Sequence, residues 1–560
     1  MIKKINFKPK LFDTIRNYDR QTFLADLSSG IIVGIVALPL SIAFAIASGV
    51  APERGLLTAA IGGFLISFFG GSRVQIAGPT GAFIVVLYGI VEQFGLEGLL
   101  LATFMAGVMM LGMGLLKLGK IIQFMPYPIT IGFTSGIAVI IFSTQVKHFF
   151  GMTGGVLPAD FADKLVYYFS NFHTSNLYAV GLGLLTIGVS VYWSKLNRKI
   201  PGTLIAIVLT TALTGFFNLP VETIGSAFGE LSATIPKPSM PWIDFDTFRL
   251  LIVPAFTIAM LGSIESLMSM MVSDGATGRR SRPDTELMAH GIANMLAPLF
   301  GAIPACGAVA RTMTNVRNGG RTPISGIIHS LFILMVLLFL GKMAKLIPLS
   351  TLAGILFVVA YNMSEWRSFK GIFKHTKSDI TVLLVTFLLT VFLDISVAIQ
   401  FGLVLAAFLF VKRVSETSGI QVINTEVEDE KTYMQEDTHD EVLDIPKGVQ
   451  VFQIKGPFFF GIANRFEQVE KELHQKPRIR ILRMSRVPFI DSTGLKNFDS
   501  FLVRCRNSHI HIILCGIPPK PYLTLKKNEI IDRIGPENVC VNIEDAIARA
   551  RVCLTMMKSS

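Results

Sequence analysis

Residues 76–91 read IAGPTGAFIVVLYGIV, and this stretch decides what kind of fold the chain can adopt. It is apolar enough for a membrane interior but shorter than the roughly 20 residues that an α-helix needs to cross one. Pro79 directly after Gly78 is typical of the first turn of a helix, so we expect a helix to begin here. Irregular backbone within a membrane is tolerated only where it is buried in protein or lines a water-filled cavity. The stretch therefore predicts a helix that starts inside the membrane.

A second stretch repeats these features in the other half of the chain. Residues 303–312 read IPACGAVART and again follow an apolar segment after a short break. One stretch lies in a half that ends near residue 217, and the other lies in a half that starts near residue 250. Matched pairs of interrupted segments mark transporter binding sites, and helix N-termini favour anions. The pair predicts an anion site, although two ordinary loops between helices would also contain Gly and Pro.

The composition supports a membrane protein. Only 16% of the 560 residues are charged, against about 25% in soluble domains, and the mean hydropathy is +0.56. The formal net charge of +12 lies mostly in short loops between apolar segments, so we expect no nucleic acid partner. No zinc-ligand spacing, phosphate-binding loop or nucleophile elbow occurs in the sequence. This argues against an enzyme, a metal site, a cofactor and direct use of ATP.

The distribution of Lys and Arg predicts the topology. Residues 1–23 are basic, and basic residues recur in alternate loops between the apolar segments of residues 24–413. Such loops remain in the cytoplasm. We therefore predict a cytoplasmic N-terminal segment at 1–23, a transmembrane domain at 24–413 and both termini in the cytoplasm.

Two charged residues lie within apolar segments. Arg311 follows the second break, where it would attract an anion or, alternatively, extend to the cytoplasmic surface as Arg317 would. Glu265 lies in the middle of a segment. Carboxyl groups are rare at such positions and usually have a function, so we expect one for Glu265. It would carry a proton, or bind Na⁺ together with Ser269 on the same helical face, or pair structurally with Arg311. Thr80 and Thr312 add hydroxyl groups near the two breaks, unless they bond to their own helices.

The C-terminal part has a different pattern. Residues 414–441 are polar and acidic, which predicts a solvated linker. Residues 442–560 alternate between strand-like and helix-like stretches, which predicts a small α/β domain. The predicted strands are VLDIP, VQVFQI, IRILRM and IHIILCGI, and the predicted helices are residues 464–474, 494–506 and 543–556.

Motifs along nearly the whole chain resemble those of the sulfate permease family of anion transporters. In the membrane part these motifs are AGPT at 77–80, GFTSG at 132–136, GSIESL at 262–267, VSDG at 272–275 and ART at 310–312, followed by Asn315, Gly319 and Gly320. In the tail, VPFIDSTGL at 487–495 resembles the signature of the STAS domain that ends most members. Glu265, the Ala310-Arg311 pair and the NMSE run at 362–365 make the resemblance closest to the bacterial C4-dicarboxylate member.

The resemblance implies a membrane all-α fold of about fourteen transmembrane segments in two inverted repeats of seven, followed by a cytoplasmic α/β STAS domain. The segments would form a core domain and a gate domain, and two copies would form a homodimer. The resemblance places the anion between the third and tenth segments. The predicted anion-binding residues are Gly78, Thr80, Gly81, Ala310, Arg311 and Thr312.

The chain departs from some relatives at these positions. The sodium-coupled bicarbonate member has Asp in place of Glu265 and Thr in place of Ser269, which favours H⁺ over Na⁺ as the coupling ion here. Several animal relatives have Ser where this chain has Ala310, so one hydroxyl group that would face the anion is missing.

The STAS signature has two interpretations. In soluble STAS relatives a hydroxyl group beside the equivalent of Asp491 is phosphorylated, and Ser492 or Thr493 would serve here. Alternatively, Asp491 only caps the following helix, and the domain holds the dimer together or binds a cytoplasmic protein partner.

These interpretations predict a secondary active anion transporter in a bacterial cytoplasmic membrane, which carries a C4-dicarboxylate or sulfate together with protons. The alternatives are a sodium-coupled bicarbonate or sulfate transporter, a passive anion exchanger or channel of the same fold, and a membrane sensor with vestigial transport.

Overall fold

The computed structural model describes two compact units of the chain. It covers residues 7–559 except 17, 123–125, 156, 159–160, 197–200, 230–233, 240–244, 394–400, 403, 406, 410, 413–418, 424–443 and 459–476. The contacts divide the chain into a first unit, residues 1–406, and a second unit, residues 407–560.

The first unit is helical, with two very short strands. Its first half contains α1 (Lys10–Ile15), α2 (Arg20–Ala47), α3 (Pro52–Leu57), α4 (Gly63–Phe69), β1 (Ala77–Gly78), α5 (Ile84–Leu115), α6 (Gly119–Ile122), α7 (Tyr127–Phe150), α8 (Phe161–Asn171), α9 (Leu177–Leu196) and α10 (Gly202–Phe217). Its second half contains α11 (Ile224–Phe228), α12 (Phe245–Thr277), α13 (Pro283–Leu296), β2 (Cys306–Gly307), α14 (Val309–Arg317), α15 (Pro323–Leu340), α16 (Leu349–Met363), α17 (Trp366–Ile372) and α18 (Lys377–Phe392).

Local chemistry sets the ends of these helices. The side chain of Asp19 accepts a hydrogen bond of 2.8 Å from the Thr22 backbone and so caps the start of α2. Gly151, with φ of 59°, ends α7 in the left-handed conformation that glycine tolerates best. Gly95, with φ of 69°, interrupts α5 and divides it into two segments. A π-helical turn, Thr58–Gly62, joins α3 to α4 so that they form one segment.

The two halves repeat one order of elements. Each half begins with a long helix, α2 or α12, and continues with a second helix, a two-residue strand and a further helix. Without the connecting helices α1, α6, α8, α11 and α17, the described residues contain seven helical segments in the first half and six in the second. Helical residues within 401–412 continue the second series. This order is the one that inverted repeats of seven segments require.

Several of these segments are too short to cross a membrane as straight helices. Among the described residues, four helices are long and apolar enough to do so, and a fifth span results if α8 and α9 are taken as one pair bent by 116°. Broken and half-length segments are typical of transporters that bind their substrate near the middle of the membrane.

Helix packing separates the first four segments of each half from the others. We call the first four segments of each half the core bundle and the remaining segments the gate bundle. In the core bundle, α5 packs against α12 and α13, and α15 packs against α2. In the gate bundle, α7 packs against α16 and α18, and α9 packs against α10 and α16. Gly107 of α5 and Gly291 of α13 face each other so closely that a Cβ at either position would lie within 2.6 Å of the opposite backbone. Small residues at such crossings allow membrane helices to pack tightly.

The second unit is built on a five-stranded sheet. Its elements are β3 (Gly419–Ile423), β4 (Val449–Lys455), β5 (Ile479–Arg486), α19 (Ser492–Asn507), β6 (His511–Cys515), α20 (Pro519–Lys527), α21 (Ile530–Ile534), β7 (Val539–Cys540) and α22 (Ile543–Ser559). The strands lie in the order β3-β4-β5-β6-β7, with β3 antiparallel to β4 and the remaining neighbours parallel. The α/β prediction for this part is therefore confirmed.

The structure of the tail differs from the prediction in two places. Residues 419–423 of the predicted linker form β3, because the GIQVI run supplies β-branched residues that pair with β4. Residues 444–446 of the predicted VLDIP strand are not in a strand, since Pro446 cannot donate to a ladder. The predicted helix at 464–474 lies outside the described residues.

Candidate functional site

Two very short strands bring the interrupted stretches together. β1 pairs antiparallel with β2, with Ala77 opposite Gly307 and Gly78 opposite Cys306. A 3₁₀ turn, Gly81–Phe83, leads from β1 into α5, and α14 begins at Val309 just after β2. One ladder therefore holds two helix N-termini side by side. We call these two short helices, the part of α5 before Gly95 and α14, the first and second half-helix. Both predicted breaks are confirmed, although the first helix begins after Pro79 rather than at it.

Helix α12 holds this ladder in place through its serine side chains. The Ser266 hydroxyl accepts a hydrogen bond of 3.0 Å from the Gly307 backbone, and the Ser266 carbonyl accepts one of 3.1 Å from the Gln75 side chain. One turn later, the Ser269 hydroxyl donates to the Thr312 hydroxyl at 3.0 Å. Ser269 is thus tied to α14 rather than to the Glu265 carboxylate.

Thr312 links the two halves of the site. Its hydroxyl oxygen accepts from the Ile76 backbone N–H at 3.0 Å, while it also receives the bond from Ser269. The Ala308 backbone donates to the Ile76 carbonyl at 2.9 Å. Because Thr312 is fully buried, these bonds fix the start of α14 against the stretch that precedes β1. The alternative that Thr312 only bonds to its own helix is wrong.

Arg311 lies behind the ladder rather than at the surface. It is only 2% exposed, and its Nη2 donates to the carbonyl oxygen of Pro79. Its Nη1 has no hydrogen-bond partner among the described residues. A Cβ at Gly78 would lie 2.7 Å from Nη1, so glycine at this position leaves room for the guanidinium group. The alternative that Arg311 extends to the cytoplasmic surface is therefore wrong.

Three side chains form a polar chain across the ladder. The Cys306 thiol donates to Oε2 of Glu265 at 3.1 Å, and the Cys306 sulfur lies 3.3 Å from the Thr80 hydroxyl. Cys306 is fully buried and Thr80 is 7% exposed. The positive charge of Arg311 acts on both the Glu265 carboxyl group and the Cys306 thiol. A carboxylate, a thiol and a hydroxyl therefore connect α12 to the start of the first half-helix.

The gate bundle closes the other side of the site. A Cβ at Gly81 would lie 3.0 Å from the Met363 sulfur, 3.1 Å from Ile141 Cδ1 and 3.5 Å from a ring carbon of Phe44. Ile141 belongs to α7 and Met363 to α16, which are both gate helices. The start of the first half-helix therefore faces an apolar wall that belongs mainly to the other bundle.

A second polar network is centred on Asn315 of α14. The Asn315 side chain donates to the Val74 carbonyl and to the Ser325 hydroxyl, both at 2.8 Å, and accepts from Ser29 at 2.7 Å. These bonds tie α14 to α2 and α15 inside the core bundle. Asn315 therefore serves the packing of the bundle in which the half-helices are held.

The structure thus brings together most of the predicted anion-site residues. Gly78, Thr80 and Gly81 of the first stretch meet Arg311 and Thr312 of the second, and Ala310 is the exposed member of the set. Glu265 joins them through Cys306, for which the sequence suggests no role. Gln75 and Ser266 were also missed, because serine and glutamine are common residues and neither stands out by its spacing. No group of three or more His, Cys, Asp and Glu suited to a metal occurs among the described residues.

The STAS signature lies at the start of α19. The Asp491 carboxylate accepts a hydrogen bond of 2.6 Å from the Gly494 backbone and is the N-cap of this helix. Ser492 and Thr493 follow in the first turn, and both are exposed. The capping role expected of Asp491 is therefore present, and both hydroxyl groups are accessible from solvent.

Comparison with known proteins agrees with this geometry. The profile of the sulfate permease family matches residues 23–386, and the STAS domain profile matches residues 442–547. YvdB of Bacillus subtilis, provisionally named a sulfate transporter, is 38% identical over 93% of this chain and 97% of its own length. The bicarbonate transporter BicA of Picosynechococcus is 30% identical over 94% of each chain.

A solved structure supports the fold. The murine solute carrier 26 family member A9 anion transporter, in an inward-facing state, superposes with a TM-score of 0.86 over 97% of this chain and 94% of its own, at 19% identity. The expected special similarity to a C4-dicarboxylate member is not supported, since these relatives are named for sulfate and bicarbonate. The broken helices, the crossing strands and the matched profiles lead to one conclusion: the chain belongs to the sulfate permease family of multi-pass membrane anion transporters, whose members are not enzymes, and it carries a STAS domain.

Proposed function

We propose that this protein is a proton-coupled symporter of a small oxyanion, with sulfate as the first candidate. The observation that carries the proposal is the cluster of Glu265, Cys306 and Thr80 beside Arg311 at the crossing of the two half-helices. Helix N-termini and a buried arginine attract an anion, and a carboxyl group beside them is the natural site for a proton.

The coupling follows from charge. While Glu265 is ionised, its negative charge lies in the same buried cluster as Arg311 and opposes the entry of an anion. Protonation removes that charge, so the positive field of Arg311 and of the helix N-termini acts on the anion alone. A bound anion in turn favours the protonated form of Glu265, because linkage between two ligands is reciprocal. The arrangement supports transport of the anion and the proton in the same direction.

The geometry favours H⁺ over Na⁺. A sodium site needs several oxygen ligands at once, and the hydrogen bonds of Ser269 and Ser266 run to Thr312 and Gly307 rather than to the Glu265 carboxylate. The Glu265 carboxylate accepts a hydrogen bond from the Cys306 thiol, and sulfur is a poor ligand for a hard cation.

The remaining assignments are part of the proposal. The resemblance to family members supports a homodimer in a bacterial cytoplasmic membrane with both termini inside, and a STAS domain that stabilises the dimer or binds a cytoplasmic protein. Relatives named for sulfate and bicarbonate support an oxyanion, and a C4-dicarboxylate is retained as a competitor to be tested.

Uptake into proteoliposomes tests the proposal. Radiolabelled sulfate, bicarbonate, succinate and fumarate would be supplied in parallel under an imposed inward proton gradient. We expect sulfate to accumulate and the accumulation to collapse with a protonophore. Uptake that only equilibrates would indicate a passive exchanger or channel, and uptake driven by a sodium gradient alone would remove Glu265 as the proton carrier.

A further inference from the structure

The thiol of Cys306 occupies a position that the proposed mechanism has not used. Its backbone belongs to β2 opposite Gly78, so it cannot move independently of the crossing strands. Its sulfur lies between the Glu265 carboxylate at 3.1 Å and the Thr80 hydroxyl at 3.3 Å. The residue is fully buried, and its two polar neighbours come from different halves of the chain. Cys306 therefore connects the proposed proton site to the proposed anion site.

A thiol can respond to the state of Glu265 because it has one proton to donate and a weak acceptor sulfur. Toward an ionised Glu265 the S–H group donates to Oε2, and the sulfur then accepts from Thr80. When Glu265 is protonated, the carboxylate no longer attracts the S–H group so strongly, and the thiol can turn toward Thr80. Thr80 is the N-cap residue of the 3₁₀ turn that leads into the first half-helix. The orientation of its hydroxyl group then follows the protonation of Glu265.

Few other groups compete for this pair. Arg311 of α14 is the charged residue that acts on both Glu265 and Cys306, and its Nη2 is already bonded to Pro79. The Thr80 hydroxyl also acts on the Glu265 carboxyl group directly, so Cys306 adds a second connection between these two side chains. On the neighbouring turn of α12, the atoms nearest to a Cβ at Gly262 would be those of the apolar side chains of Phe83, from the 3₁₀ turn, and Met110, from α5, followed by Cys306 itself. On α13, the carboxylate of Glu286 accepts from the backbones of Gly71 and Ser72 instead.

We propose that Cys306 is a positioning residue that transmits the protonation state of Glu265 to the anion-binding hydroxyl of Thr80. This inference rests on the proposed function, since it specifies how the same site links its two ligands. It assigns to a cysteine in the centre of the site a role in coupling rather than in packing.

The test compares Cys306→Ala, which removes the donor, with Cys306→Ser, which keeps a donor and an acceptor. The readout is the ratio of initial sulfate uptake at acidic pH to that at neutral pH, together with KM, in proteoliposomes of the full-length protein. We expect Cys306→Ala to reduce this ratio about three- to tenfold, as loss of an ordinary hydrogen bond from a weak donor such as a thiol would. Cys306→Ser should retain the wild-type ratio. A merely structural role would lower the amount of folded protein without changing the ratio.

A second substitution covers the case in which Cys306→Ala does not fold. Cys306→Val also removes the donor but leaves a smaller cavity than Ala at this fully buried position. Cys306→Val should lose most of the dependence of uptake on pH, whereas Cys306→Ser should keep it. A pH ratio that is unchanged in whichever of Cys306→Ala and Cys306→Val folds would overturn the inference. If the wild type shows no pH dependence, the proposed proton coupling itself fails.

Discussion

Gly78→Ala is the substitution whose effect can be worked out most directly from the structure. The added methyl carbon would lie 2.7 Å from Nη1 of Arg311, and on another side it would lie 3.3 Å from Cα of Ala59. Ordinary non-bonded separations are about 3.5 Å or more, so the guanidinium group must move by roughly 0.8 Å. The backbone of Ala59 cannot yield in its place. Such a displacement breaks or bends the bond from Nη2 of Arg311 to the Pro79 carbonyl.

The size of the effect follows from the bond that is lost. A hydrogen bond to a charged group contributes about 1.5–3 kcal/mol, which corresponds to roughly 10- to 100-fold in affinity. Since Arg311 supplies the positive charge at the proposed anion site, we expect KM for sulfate to rise by about this factor while the protein still reaches the membrane. Uptake kinetics in proteoliposomes, normalised to the amount of folded protein by size-exclusion chromatography, would measure it.

The same substitution elsewhere in the first half-helix provides the control. Gly89 belongs to the part of α5 that precedes Gly95, and a Cβ at Gly89 would meet no atom within 4 Å. Gly89→Ala should therefore leave KM unchanged. A Gly78→Ala protein with wild-type KM and wild-type maximal rate would show that the position of Arg311 does not govern anion binding, and the reasoning would be refuted.

Four further outcomes are expected. Glu265→Gln should make sulfate uptake independent of pH, whereas the same change at the exposed Glu97 should not; pH profiles of both variants decide this. Thr312→Val leaves the buried Ile76 N–H without its acceptor and should lower the free energy of unfolding by about 1–3 kcal/mol, whereas Thr314→Val, whose hydroxyl bonds only to Ala310 of its own helix, should be nearly neutral in thermal unfolding. Asp491→Ala removes the N-cap of α19 and should destabilise it by about 1 kcal/mol, seen as faster amide exchange in its first turn, while Ser492→Ala should exchange as wild type does. Burial raises the pKa of the Cys515 thiol to about 12, so it should stay protonated and resist alkylation in mildly alkaline buffer, and peptide mapping should find the half-buried Cys540 labelled first; equal labelling of both would contradict this.

The sequence predicted the parts of the fold that depend on local chemistry. Gly78 and Pro79 interrupt a segment because of their own backbone preferences, and a charged residue such as Glu265 stands out in an apolar helix without any knowledge of its neighbours. The same holds for the cap at Asp491, where an acidic residue precedes a helical pattern. These features can be recognised from a few adjacent residues, so they appear correctly in both the prediction and the structure.

The contacts that complete the site could not be predicted in this way. β1 and β2 have only two residues each, which is too short for any alternation of polar and apolar residues to show. Thr80 and Cys306 are separated by 226 residues, and Ile76 and Thr312 by 236, so only the folded chain reveals that they meet. The strand Gly419–Ile423 was missed for a local reason. Its short apolar pattern lies next to a long acidic stretch, which is typical of a linker.

The hydrogen bonds within the site also determine which donors can serve an anion. The Ser269 hydroxyl donates its hydrogen to Thr312 at 3.0 Å, the Thr312 hydroxyl donates its own to the Ile76 carbonyl at 3.5 Å, and the Ser266 hydroxyl accepts from Gly307. These three contacts hold the two half-helices in position, so the serine and threonine side chains of α12 and α14 act mainly as a scaffold. An anion must then be bound chiefly by groups that the scaffold does not use.

Besides the Thr80 hydroxyl, two kinds of donor fit that description among the described residues. The first N–H groups of a helix have no partner within the helix, and here two helices begin beside one ladder. Nη1 of Arg311 is the other donor, since its sister Nη2 is bonded to Pro79. Backbone N–H groups and a guanidinium recognise negative charge and the spacing of oxygen atoms, but they carry little chemical detail. A site of this kind distinguishes oxyanions by size and charge, which explains physically how one architecture can serve relatives named for sulfate and for bicarbonate.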